Sequence, residues 1–340
     1  MSFAERIDGF QRRHPKVGFP LAVAYKFFDD QGGYLAALIT YYAFVSLFPL
    51  LLLMTTVLGF VLEDDPELKD WIVTATIDQI PVIGDQLNEP GSLGGGFVGV
   101  TIGLLGALYG GLGVAVASQN AMNIVWAVPR NSRPNPIKVR IRGLLLLFTV
   151  GLAIPGLVVL GAFIAAGDFG NFGRVLTFSG AAVLAMAVFT VAFRIGTARD
   201  LSLGDVLPGA IIAGLGWQFL QEFGSYYAQR VIVRASAVNS VFAVVLGLIA
   251  FIYLAAALVV FCLEINVVRA KKLYPRSLLT PFTDNVTLTP GDEAAYAAMA
   301  KAQRNKGFET IEVGFQKPEE PPSEPEATPT PPEKTPHRTE

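Results

Sequence analysis

Thr40-Tyr41-Tyr42-Ala43-Phe44-Val45-Ser46-Leu47-Phe48-Pro49-Leu50 lies inside an apolar run over residues 34–62 that no charged residue interrupts. About 20 apolar residues are enough for a helix to cross a ~30 Å hydrocarbon core. Five more apolar runs follow, at 93–118, 143–166, 175–193, 206–225 and 238–263. Hydrophobic residues make up 52% of the chain and charged residues 16%, which is too apolar for a soluble domain of this length. The expected fold is all-α: a polytopic membrane bundle of six transmembrane helices over 34–272. An interfacial helix in 1–33 precedes it, and a largely disordered tail over 273–340 follows.

Lysine and arginine set the expected orientation. Sixteen of them fall in the N-terminal segment and in the stretches after the second, fourth and sixth runs. Only four, Lys69, Arg174, Arg230 and Arg234, fall in the opposite loops. Basic loops stay in the cytoplasm, so both termini are expected there. The charged N-terminal residues form no continuous apolar run, so the first span reads as an uncleaved anchor.

Composition also bears on chemistry. Cys262 is the only cysteine, and the two histidines are His14 and His337. That is too little for a thiolate site or a histidine-rich metal centre, and no Ser–His arrangement suits a nucleophilic triad. The glycines at 94–113 lack the Gly-Lys-Ser/Thr ending of a phosphate loop. The expectation is no enzyme, no metal and no cofactor.

Several local features mark candidate residues. Residues 1–30 read as a helix along the membrane, with Phe19, Leu21, Ala22, Tyr25 and Phe28 on its apolar face and Lys26 near headgroups. A packed cap on the bundle is the other reading. In the first span Pro49 predicts a kink. Thr40, Tyr42 and Ser46 are candidates to line a substrate cavity, or else to hydrogen-bond between helices. In the acid-rich stretch 63–92, Leu68, Trp71, Ile72, Ala75 and Ile80 predict a short amphipathic helix ending near Pro81. Gly99 and Gly103, then Gly106 and Gly110, place small surfaces one turn apart and predict close helix packing. Trp126 reads as an interface anchor. Gln218, Gln221, Glu222 and Ser225 form a polar stripe on the fifth span. It either faces a cavity or projects beyond the outer interface, where Tyr226 and Tyr227 form a belt. Glu264, near the basic boundary, is expected in an ion pair with Arg269 or Arg194. Asp292–Arg304 allows a short helix, and the Pro- and Glu-rich end beyond 319 cannot build a core.

Three places carry a family likeness. They are the first-span stretch quoted above, Asn120-Ala121-Met122-Asn123-Ile124-Val125-Trp126, and Leu207-Pro208-Gly209-Ala210 through Trp217 together with Glu264-Ile265-Asn266. In order and spacing they resemble the YihY/BrkB family of bacterial inner-membrane proteins over roughly residues 20–272. Asn239-Ser240-Val241, Phe251 and Cys262-Leu263 depart from its usual pattern. The family once carried the label ribonuclease BN. The basic residues here are dispersed over short loops and suit topology and anionic headgroups better than an RNA groove. The likeness implies a multi-pass protein of the bacterial inner membrane. The function expected is a transporter or flippase-like exporter of an envelope lipid or other amphipathic substrate. The alternative is a non-transporting scaffold that recruits partners through its tail. Expected partners are membrane lipids and the amphipathic substrate, with a homo-oligomer left open and nucleic acid excluded.

Overall fold

The computed structural model describes residues 3–61, 96–166, 170–227, 237–281, 283 and 286–316. Among these the regular structure is helical, with no strand. Two short helices come first, α1 (Phe3–Arg13) and α2 (Phe19–Asp29). Six long helices follow. They are α3 (Gly32–Val61), α4 (Gly96–Val125), α5 (Pro136–Ala166), α6 (Gly170–Gly196), α7 (Leu203–Tyr227) and α8 (Ala237–Ala270). A short α9 (Pro290–Ala302) comes last. Among the described residues, α3, α4, α6, α7 and α8 each contain a stretch that meets the length and hydropathy needed to cross a membrane. The helix expected near 68–80 and the tail from 317 lie outside the described residues.

Each long helix packs on the next, and α8 returns to α3, closing the six into a ring. α4 also reaches α6 and α8. The directions alternate, so the junctions α2–α3, α4–α5 and α6–α7 and the end of α8 gather on one face. This is the face of the basic loops. The main apolar core lies there too, with Val23, Ala36, Val125, Trp126, Phe193, Val206 and Leu263 packed together. Further along the bundle, Leu248 anchors a smaller cluster with Phe44, Leu47, Leu51, Phe251 and Ile252.

The helix ends on this face are tightly specified. Ala127 (φ 50°) and Lys272 (φ 52°) take the left-handed conformation just beyond α4 and α8. The N–H of Val128 then reaches back to the carbonyl of Asn123 at 2.8 Å, and that of Leu273 to Val268 at 3.0 Å. These are the closing bonds of a helix C-terminus that satisfy otherwise orphaned carbonyls. Gln31 (φ 56°) makes the corresponding turn between α2 and α3.

The glycine face of α4 meets α3 in antiparallel register. Gly103 abuts Leu53, Gly106 abuts Pro49, Gly110 abuts Ser46 and Gly113 abuts Tyr42. A Cβ at Gly106 would lie 2.5 Å from Cβ of Pro49, and one at Gly103 2.9 Å from the backbone nitrogen of Leu53. Small residues let two helices approach to backbone contact, which replaces the hydrophobic drive that lipid cannot supply. α3 continues as one helix through Pro49. The surroundings of Gly99 fall outside what is described.

A further layer covers the basic face. Arg276, 1% exposed, pairs with Asp292 at the start of α9 and with Asp29 of α2 at 3.0 Å. Thr289 and Asp292 cap α9 reciprocally. Asp8 of α1 accepts from the Leu278 N–H at 2.7 Å and from Gln11 at 2.8 Å. Burial opposes charge on Asp8, but those bonds and Arg12 hold its carboxyl below the usual range. The described parts of 273–302 are therefore docked on α1 and α2, and the tail boundary drawn at 273 falls inside a packed layer. Composition averaged over 273–340 hides this, because the Pro- and Glu-rich end dominates it.

Gly106→Leu and Gly110→Leu should each cost about 3 kcal/mol or more, since overpacking against backbone has no soft outlet. Gly151→Leu on α5 is the control, because nothing lies within 4 Å of its added Cβ. Thermal melting of the purified protein should drop for the first two and stay near wild type for the third.

Candidate functional site at the basic end of the bundle

A cluster of buried charged groups lies where α2 crosses α8 beside the end of α4. Lys26 is 1% exposed, Asp30 6% and Glu264 0%. Lys26 Nζ contacts the Asp30 carboxylate one turn along. It lies 3.6 Å from Glu264 Oε2 and donates to the Val125 carbonyl at 3.3 Å. Burial works against charge on Lys26, yet Glu264 and Asp30 outweigh it and raise its pKa above the ordinary value. Burial pushes the Asp30 carboxyl up despite Lys26. No donor lies within direct hydrogen-bond distance of either Glu264 carboxyl oxygen, and the nearest cation is the Lys26 ammonium.

Most of the neighbouring contacts run from a side chain to backbone. Lys271 donates to the Trp126 carbonyl at 2.8 Å. Asn123 accepts from the Ala198 N–H at 2.7 Å, joining α4 to the α6–α7 turn. Arg133 bonds Asn120 at 3.1 Å and the Val128 carbonyl at 3.2 Å, folding the basic loop back onto α4. Gln119 donates to Val139 of α5 at 3.0 Å. The amides before the basic loop are thus staples between elements. Trp126 is not at an interface but 2% exposed inside the core.

Asn266 couples α8 to α7. Its Oδ1 accepts from the Gly209 N–H at 2.7 Å, and its Nδ2 donates to the Val206 carbonyl at 3.1 Å. Pro208 breaks the helical bonding there, since proline has no N–H to offer the carbonyl four residues back. That carbonyl, of Gly204, receives Arg269 at 2.8 Å instead. A side chain at Gly209 would strike the Cys262 carbonyl and Asn266. Leu207-Pro208-Gly209 and Glu264-Ile265-Asn266 are therefore two halves of one contact.

The cation beside Glu264 is Lys26, whereas Arg269 goes to Gly204 and Arg194 to the Leu201 carbonyl at 3.1 Å. Thr40 is buried and its hydroxyl donates to Ala36, while Ser46 donates to Ala43. The Tyr42 ring and Ser46 face the α4 glycines. These three lie away from the α7 stripe in the described contacts. Along that stripe Gln218, Gln221 and Ser225 are half-buried and Glu222 is exposed. Glu222 shares its helix face with Leu215, Phe219 and Tyr226, which are also exposed.

A family profile described as virulence factor BrkB matches residues 23–284. The chain belongs to the BrkB family. Two curated proteins resemble this BrkB-family chain at low identity. One is the "Putative ribonuclease-like protein YfkH" of Bacillus subtilis, 25% identical, matching 70% of this chain and 90% of its own. The other is "Uncharacterized protein Dda3937_02003" of Dickeya dadantii, 25% identical over 74% of this chain and 83% of its own. No solved structure matches. The matched region begins inside α2 and so includes Lys26 and Asp30 as well as Glu264.

Lys26 is a residue that sequence reasoning placed among headgroups. The available signal was its one-turn spacing from Asp30, with Ala22 and Val23 on the same side of the helix. Asn266→Ala should leave the Gly209 N–H and the Val206 carbonyl unpaired in the core. The expected loss is about 1–3 kcal/mol, measured as lower thermal stability in detergent, with Arg269→Ala costing less because its site is exposed.

Proposed function

We propose that this BrkB-family protein is a six-pass transporter of the bacterial inner membrane that moves an amphipathic envelope substrate. Both termini are cytoplasmic in this reading, and α5 is the sixth crossing. The observation that carries the reading is an asymmetry along the bundle. The basic end is sealed by the main core and a buried charge cluster. Towards the other end, half-buried Gln218, Gln221 and Ser225 border exposed Leu215 and Phe219 on α7. A polar edge beside an apolar face suits a molecule with a headgroup and a tail. Unpaired amides facing hydrocarbon alone would cost several kcal/mol by a rough transfer estimate.

The reading contains no catalytic step. The ribonuclease-like name of the Bacillus subtilis relative is not carried over, because basic groups here engage the protein itself. Arg133, Arg194 and Arg269 bond backbone carbonyls, and Arg276 lies between Asp29 and Asp292. The second reading is a scaffold that recruits partners on the cytoplasmic side. Phe308, 91% exposed just beyond α9, favours it.

Transbilayer movement of fluorescent lipids in reconstituted vesicles separates the two. The protein should accelerate movement, and Gln218→Leu with Gln221→Leu should slow it about tenfold, the loss of one to two hydrogen bonds. No acceleration for any lipid class, with correctly folded protein, would leave the scaffold reading. For topology, a cysteine at Asp78 should label from outside intact cells, and one at Ser132 only after permeabilisation. Cys262 is buried and should stay silent. Labelling of Ser132 from outside would overturn the orientation.

A further inference from the structure

The Lys26 cluster holds an uneven charge. Two carboxylates, Asp30 and Glu264, share one ammonium, and all three side chains are at most 2% exposed. Lys26 sits in contact with Asp30, while Glu264 is at 3.6 Å with neither oxygen hydrogen-bonded. A carboxylate buried this deeply, whose one nearby cation is already in contact with another carboxylate, is unfavourable by several kcal/mol, and such a group holds its proton instead. A neutral carboxyl needs no counter-ion, and its O–H can point at the neighbouring acceptor.

We propose that Asp30 and Glu264 form a proton-binding site beside Lys26, and that the bound proton keeps α2 seated on α8. The ligand is a single proton, and the sealed basic end is its occupied state. The inference stands apart from the transport reading, because the site and its occupancy can be tested on folded protein with no substrate.

The surrounding charges define what the site responds to. On α2 the ionisable neighbours are Asp29, Lys26 and Asp30. Asp29 is engaged by Arg276 of the C-terminal layer. Around the end of α8 the charged groups are Glu264, Arg269, Lys271 and Lys272, and Arg199 comes from the α6–α7 turn. α3 and α4 contribute no charged side chain. Burial, with Lys26 and Arg199 adding repulsion, pushes Lys271 down to about 8. Above that pH it stops offsetting the carboxylates.

The sign follows from proton linkage. A folded state that binds a proton the unfolded chain releases loses stability as pH rises. The test is thermal melting of the full-length protein in nanodiscs from about pH 5 to about pH 8, the range where such linkage acts. Wild type should become less stable as pH rises. Glu264→Gln mimics the protonated acid. It should melt within about 2 °C of low-pH wild type, a difference below 1 kcal/mol for a chain of this size, and it should lose most of the pH dependence. Asp30→Asn strips Lys26 of its nearest counter-ion and should melt lower throughout. An infrared band from a buried protonated carboxyl, present in wild type and absent in Glu264→Gln, is the second readout. Glu264→Gln that fails to fold, or that is as damaged as Asp30→Asn, would show an ionised Glu264 and overturn the proposal. So would wild-type stability that follows sodium concentration rather than pH, which would make the ligand a metal cation.

Discussion

Lys26, inserted between Asp30 and Glu264 under the end of α4, ties the N-terminal helix to the last helix of the ring. An ammonium and two carboxyls removed from water have no alternative partners, so the elements that carry them must meet in one geometry. Breaking such a pair typically costs about 3–5 kcal/mol, far more than a surface ion pair contributes. Removal of Lys26 or of Asp30 unseats α2, and α2 in turn carries Asp29, the second anchor of Arg276. The basic face is therefore a stack of dependencies. α8 holds α2, α2 holds Arg276, and Arg276 with Asp292 holds α9.

Apolar packing alone would not give this order. The long helices are apolar around most of their circumference, and in lipid such surfaces have little preference for one another. Register must come from features that only one arrangement satisfies. The α3–α4 seam supplies it through four glycines against Leu53, Pro49, Ser46 and Tyr42. The α7–α8 crossing supplies it through Asn266 bonded to the backbone around Pro208. The α4–α6 junction uses Asn123 in the same way. A proline or helix terminus exposes backbone groups, and an amide from the facing helix satisfies them.

Local features were the legible ones. Long uncharged runs give the helices, and Gly103, Gly106 and Gly110 give the packed face, because both signals lie within one helix. The partner of Glu264 was not legible. A reading along the chain offers Arg269 nearby, and only the ring closure brings Lys26 from α2. The docked layer after 273 was hidden for a different reason. Its key residue, Arg276, reads as one more cytoplasmic base, and the capping pair Thr289 and Asp292 that starts α9 is a weak pattern amid a polar tail. The polar stripe of α7 was visible by spacing. Which way it faces was not, and exposed Glu222 beside Phe219 shows that a regular stripe need not point inward.

The account rests on α2 being a buried part of the bundle rather than a helix floating on the membrane surface. Hydrogen exchange of the full chain in nanodiscs measures this directly, peptide by peptide. The account predicts that amides of residues 22–30 exchange as slowly as those of residues 262–268 in the core of α8, because both open only when the cluster breaks. Exchange over 22–30 as fast as in the exposed stretch 305–316, with α8 still protected, would contradict it.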